Sequence, residues 1–205
     1  MSVLVVLFLT AVLALFSGVY NQGKFARYIG ILGLLVALCV SFSPELAFFN
    51  QYKSMFDFNE NAALFTKISL VVTLLIFFLG SFAFNNHRSH QSELYSLMLF
   101  SLIGAVILFS FTNLVTLFLG IEILSIPLYV MAGSNKTDLR SNEASIKYFL
   151  MGAFATGFLL FGIALIYGST GSFDVHVINT FSVANPKDLM FVMGIMLMLV
   201  AMAFK

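Results

Sequence analysis

The stretch "LYSLMLFSLIGAVILFSFTNLVTLFLGIEILSIPLYVMAG", residues 94–133, carries a single charge, Glu122, in 40 residues. A helix crossing the hydrocarbon core of a bilayer needs about 20 mostly apolar residues. The stretch is too long for one span and fits two, joined by a turn at "FSFTN", 109–113. Asn113 suits the start of the second helix, because its side chain can accept from a backbone N–H that the first turn leaves free. A helical hairpin inside a membrane follows, since in lipid a helix satisfies its own backbone donors and acceptors.

The rest of the chain extends the pattern. Apolar runs near 2–20, 25–43, 62–84, 142–167 and 188–205 join those at 94–111 and 113–133, giving seven expected spans. The composition agrees: 60% of the 205 residues are hydrophobic and 9% are charged, against about 25% charged in a soluble domain. Mean hydropathy is +1.02. The aromatic residues are 25 Phe and 7 Tyr with no Trp; Phe has no polar atom to satisfy in lipid. The expected fold class is all-α, a polytopic transmembrane helix bundle surrounded by the lipid bilayer. A net charge of +1 supports no nucleic-acid partner. The single cysteine, Cys39, excludes an internal disulfide and a cysteine-based metal site. Residues 2–20 lack the cationic start of a cleaved signal and read as a retained first helix.

The loops are short, the longest being 43–61 and 168–188, both with amphipathic pieces expected along the interface. Lys24, Arg27, Arg88, Lys136 and Arg140 fall on one side, and Lys53 and Lys187 on the other. The excess of basic residues marks the first side as cytoplasmic and places the N-terminus outside. The chain stops at "VAMAFK" within an apolar run, so it reads as the front portion of a longer one.

Three charges are not explained by loops: Glu122, Lys147 and Lys205. An ionisable group within a span costs roughly 2.5–3.5 kcal/mol on insertion scales, so it persists where it pairs, meets water or serves function. Glu122 lies near mid-depth, with Ser125 and Tyr129 on the same helical face. Pro127 removes a backbone hydrogen bond and frees the carbonyl of Ile123. Together these form a polar stripe beside a distorted backbone, suited to a hydrated ion path; the plainer reading is a hydrogen bond that fixes packing. Lys147 has two readings. It snorkels or pairs with Glu143 at i−4, or it faces Glu122 across the bundle. Tyr148 is placed to line part of a path. Lys67 can snorkel, "HRSH" at 87–90 offers only two ligands, "GSTGS" at 168–172 is a turn, and "NKT" at 135–137 lies on the expected cytoplasmic side. Ala153 and Gly157 allow close helix packing.

"NLVTLFLGIEILSIPLYVMAG" followed by "SNEASIKYFLMGAFATGFLLFGIALIYGSTGSFD", and the ending "GIMLMLVAMAFK", closely resemble the N-subunit family of proton-pumping NADH:quinone oxidoreductase, respiratory complex I. The resemblance runs across roughly 94–205; the first three helices match only in hydropathy and spacing. It divides the chain into three N-terminal helices, 1–93, and a first antiporter-like repeat, 94–205, incomplete at its C-terminal end. It implies a fold of about fourteen helices with two inverted repeats, of which this chain supplies the front. It also implies that Glu122 is the helix-5 glutamate, Lys147 the helix-6 lysine paired with it, and Lys205 the lysine at the break in helix 7.

Function follows as an expectation of the same resemblance. The chain is a membrane-arm subunit of an enzyme complex in the bacterial cytoplasmic (inner) membrane, translocating protons through a Glu/Lys relay. M-like and K-like membrane subunits are the expected neighbours. No glycine fingerprint or cysteine set binds a redox group here, so NADH, FMN, iron–sulfur clusters and quinone belong to other subunits. The alternatives are a subunit of a multisubunit cation/proton antiporter, which shares the buried charges, and a non-conducting scaffold, in which they only hold helices together.

Overall fold

The structure is a computed structural model and describes residues 2–19, 23–42, 55–83 and 91–205. Among these, eight helices follow in order: α1 Ser2–Val19, α2 Gly23–Ser41, α3 Glu60–Ala83, α4 Gln91–Ser110, α5 Leu114–Ala132, α6 Leu139–Thr170, α7 Val175–Ala184 and α8 Leu189–Phe204. The fold is an all-α bundle. By length and composition α3, α4, α5 and α6 can each cross a membrane. Four further apolar helices, α1, α2, α7 and α8, accompany them, and the seven expected spans correspond to α1, α2, α3, α4, α5, α6 and α8. The amphipathic piece expected within 168–188 is α7, which buries none of its residues. The expectations for 43–54 and for "HRSH" fall outside the described residues.

The chemistry of an apolar setting is visible in the hydroxyls. Thr10, Ser17, Thr66, Ser96, Ser110 and Thr170 each donate to a carbonyl three or four residues back on their own helix. Such a bond satisfies the hydroxyl without water. Helix starts are capped by Asn113, Asp138, Asp174 and Asp188, whose side chains accept from Val115, Arg140, His176 and Phe191 N–H. Gly171 ends α6 at φ 70, the left-handed geometry that a residue without Cβ adopts at no cost.

α4 is the hub of the first half. It packs on α1, α2 and α3 and, on another face, on α5, with Leu99, Ile103, Val106 and Ile107 buried against Leu7, Ala11, Leu34 and Phe77. The second half is built on α6, which lies against α5 and α8. Leu117, Leu159, Ile163, Ile166 and Phe191 form its core. The expected turn at 109–113 is present and pinned from both sides. Asp57 N–H donates to Ser110 O and Thr112 N–H to Met55 O; Leu114 N–H donates to Phe173 O and Val175 N–H to Thr112 O.

α6 and α8 touch backbone to backbone. A Cβ at Gly162 would lie 2.8 Å from the Gly194 carbonyl, and one at Gly194 would lie 2.9 Å from the Gly162 carbonyl. This contact fixes the register of α8 on α6. By contrast, the close packing expected at Ala153 and Gly157 is not made among the described residues. A Cβ at Gly157 meets nothing within 4 Å, and the two residues line a shallow apolar groove of about 360 Å³ between Phe154, Phe158 and Phe161. The small residues are there, but the helix face that carries them points away from α5 and α8.

Gly194→Val should destabilise the bundle by about 1–3 kcal/mol or more, since overpacking forces the two backbones apart. Gly157→Val should be close to neutral. Unfolding in detergent followed by helix content compares the two directly, and equal loss would refute the glycine-set register.

Candidate functional site

Glu122 is the ninth residue of the nineteen in α5, about 12 Å along the axis from its start. α5 continues unbroken through Pro127, which has no N–H to give the Ile123 carbonyl. Two residues before the proline, Ser125 is buried and donates to Ile121 O at 2.5 Å. Tyr129 is buried as well, its hydroxyl set against Gly152 of α6, where no side chain would fit. Glu122, Ser125 and Tyr129 thus share the expected stripe. Tyr148 packs edge-on against Tyr129, with ring centroids 4.6 Å apart at 84°.

Two hydroxyls of α6 hold it to the end of α5: Ser145 donates to Tyr129 O and Ser141 to Ala132 O, both at 2.9 Å. With that register, α6 brings Thr156 level with Glu122, and the Thr156 hydroxyl donates to Glu122 Oε1 at 2.7 Å. The glycine contact between α6 and α8 then carries Lys205 to the same place. Its Nζ donates to Glu122 Oε1 at 2.5 Å, with side chains only 13% (Lys205) and 21% (Glu122) exposed. Both donors converge on one carboxylate oxygen; among the described residues none reaches Oε2. Three helices therefore meet at one ion pair and one hydroxyl.

Lys147 is placed differently. It does not face Glu122; its Nζ pairs with Glu143 on its own helix, with side chains 68% and 62% exposed. The reason is the α5–α6 register. Ser145 lies beside Tyr129, so Lys147 enters about two turns from Glu122, and Glu143 at i−4 is the nearer carboxylate. Of its two readings from sequence, the local pair is the one formed. Lys67 lies over the Phe42 ring, 4.4 Å from its centroid. Sequence reasoning misses Thr156, yet a signal is present: it is the one hydroxyl residue between Tyr148 and Tyr167.

Residues 111–205 match the family model for the transmembrane region of NADH:quinone oxidoreductase and Mrp antiporter proteins. The NADH-quinone oxidoreductase subunit N of Cytophaga hutchinsonii is 44% identical over 179 residues, covering 86% of this chain and 37% of that protein. The subunit N of Flavobacterium psychrophilum is 36% identical over 205 residues, covering 100% of this chain and 45% of that protein. The chain thus spans less than half the length of the curated relatives it matches. Among solved structures, a chain of respiratory complex I from Thermus thermophilus superposes with a TM-score of 0.71 at 27% identity, over 98% of this chain and 43% of that one. A chain of an archaeal membrane-bound sulfane sulfur reductase shares the fold, with a TM-score of 0.75 at 21% identity.

A double-mutant cycle should separate the two ion pairs. Glu122→Gln with Lys205→Gln should give a coupling of about 1–3 kcal/mol, because each single change strands a shielded charge. Glu143→Gln with Lys147→Gln should give a few tenths at most, as exposed i,i+4 pairs do. Comparable couplings would contradict this ranking.

Proposed function

We propose that this chain, whose residues 111–205 match the transmembrane family model of NADH:quinone oxidoreductase and Mrp antiporter proteins, serves as part of an N-type membrane-arm subunit of NADH:quinone oxidoreductase. In this role it moves protons through a shielded Glu/Lys relay, driven by quinone reduction elsewhere in the complex. The observation that carries the reading is the Glu122–Lys205 ion pair, largely removed from solvent and joined by Thr156. A lone structural hydrogen bond would not need opposite charges on two helices whose surroundings are apolar.

The chemistry is that of proton exchange between charge states. While Glu122 touches Lys205, the two opposite charges offset one another among apolar helices. When the pair opens, each charge must meet water or another partner, and that exchange is the step at which a proton can pass along the relay. Ser125, Tyr129 and Tyr148 line the approach from the α5–α6 seam. Lys147 is the second basic station; in the present arrangement it is held by Glu143, so its engagement with Glu122 requires that pair to open first.

The rest of the proposal concerns setting. The first three helices, 1–93, form an N-terminal module and 94–205 the first antiporter-like repeat. The subunit sits in the bacterial cytoplasmic membrane with its N-terminus outside, supported by the excess of Lys24, Arg27, Arg88, Lys136 and Arg140 on one side. M-like and K-like subunits are its neighbours, and NADH, FMN, iron–sulfur clusters and quinone are bound by other subunits. The second reading is a subunit of a cation/proton antiporter without a redox partner; the matching family model names both classes.

In the assembled complex, Glu122→Gln should lower proton pumping per electron by tenfold or more on the order expected for a lost charge interaction, with assembly intact. Lys205→Ala should cut coupled turnover more than Lys205→Arg. Unchanged pumping in Glu122→Gln, measured in reconstituted vesicles, would defeat the relay.

A further inference from the structure

Thr156 is bonded in two directions. Its Oγ1 lies 2.7 Å from Glu122 Oε1 and 3.0 Å from the carbonyl of Gly152, four residues back on its own helix. A threonine hydroxyl has one proton to donate, so the two acceptors compete for it. The helical hydroxyls of Thr10, Ser17, Thr66 and Ser96 each donate to a backbone carbonyl on their own helix. Thr156 is set apart by reaching a carboxylate on a neighbouring helix.

We propose that Thr156 is a positioning residue for Glu122, its single hydroxyl proton turning between the Glu122 carboxylate and the Gly152 carbonyl according to the charge on Glu122. The inference rests on the relay reading above. An ionised acceptor makes a hydrogen bond roughly twice as strong as a neutral one. A charged Glu122 therefore holds the hydroxyl proton, which fixes Oε1 where Lys205 also meets it. When Glu122 gains a proton, its own O–H becomes a donor and Thr156 Oγ1 the acceptor, while the threonine proton swings to Gly152. No covalent bond of Thr156 changes. The hydroxyl is satisfied in both states, so Glu122 can change charge without stranding a polar group in an apolar bundle. The backbone of α6 is the second acceptor, which keeps the exchange local.

The test uses the assembled complex with Thr156→Val and Thr156→Ser, each alone and combined with Glu122→Gln. Valine keeps the shape and removes the hydroxyl. It should lower pumped protons per electron roughly tenfold, the loss expected of a charge-assisted hydrogen bond, while serine, which keeps the hydroxyl, stays within about twofold. In the Glu122→Gln background valine should add nothing further. Infrared difference spectra supply a readout that packing alone would not move. The carboxylic C=O band that disappears in Glu122→Gln should shift in Thr156→Val and stay in place in Thr156→Ser. If the valine variant fails to assemble, Thr156→Ala is read by the same measures. Normal coupling and an unshifted band in Thr156→Val, with Glu122→Gln impaired, would overturn the role of Thr156 alone. Normal pumping in Glu122→Gln would instead overturn the relay on which it rests.

Discussion

A carboxylate on α5 and an ammonium at the end of α8 touch inside an apolar bundle, and most of the local architecture is what that contact requires. Either charge alone would be expensive at this depth. Together, with a hydroxyl as third member, they are tolerable, but only if three helices hold fixed registers. Ser141 and Ser145 set α6 on α5 through carbonyls at the end of α5. Gly162 and Gly194 set α8 on α6 through direct backbone approach. Remove either constraint and Thr156 or Lys205 no longer arrives at Glu122. The glycines far from the charges are thus as much a part of the site as the side chains that touch.

The opposite end of the hairpin is fixed differently. There the α4–α5 turn is stitched on both flanks by backbone hydrogen bonds to 55–57 and 173–175. Main-chain bonds at the rim and side-chain bonds at mid-helix divide the labour: the rim holds the helices in place, while the interior contacts are the kind that a change of charge can rearrange. Lys147 illustrates the second class. It is held by Glu143 through an exposed pair, whose energetic weight is small, so losing it costs little when another carboxylate comes within reach.

The helices were legible in the sequence because lipid leaves few options: apolar runs of the right length must be helical. The hairpin turn was legible from Asn113 and the length of the run at 94–133. Glu122 was legible because a charge within such a run stands out, and Ser125 and Tyr129 followed from helical spacing. The partner of Glu122 was not. Which lysine meets it depends on two interhelical registers, and those rest on Ser141, Ser145, Gly162 and Gly194, residues with no individual signature. Thr156 looked like filler among phenylalanines for the same reason. Ala153 and Gly157 gave a packing signal whose face turned outward, since spacing reveals a stripe but not which neighbour it meets.

The central claim is that Glu122 and Lys205 meet in a shielded site that protons can nonetheless reach. A density map of the assembled complex, fine enough to show ordered water, tests this most directly. The account predicts the lysine ammonium within hydrogen-bonding distance of the Glu122 carboxylate, Thr156 on the same oxygen, and a file of waters approaching Oε2 along the α5–α6 seam. A dry, filled seam, or Glu122 and Lys205 turned apart with separate partners, would contradict it.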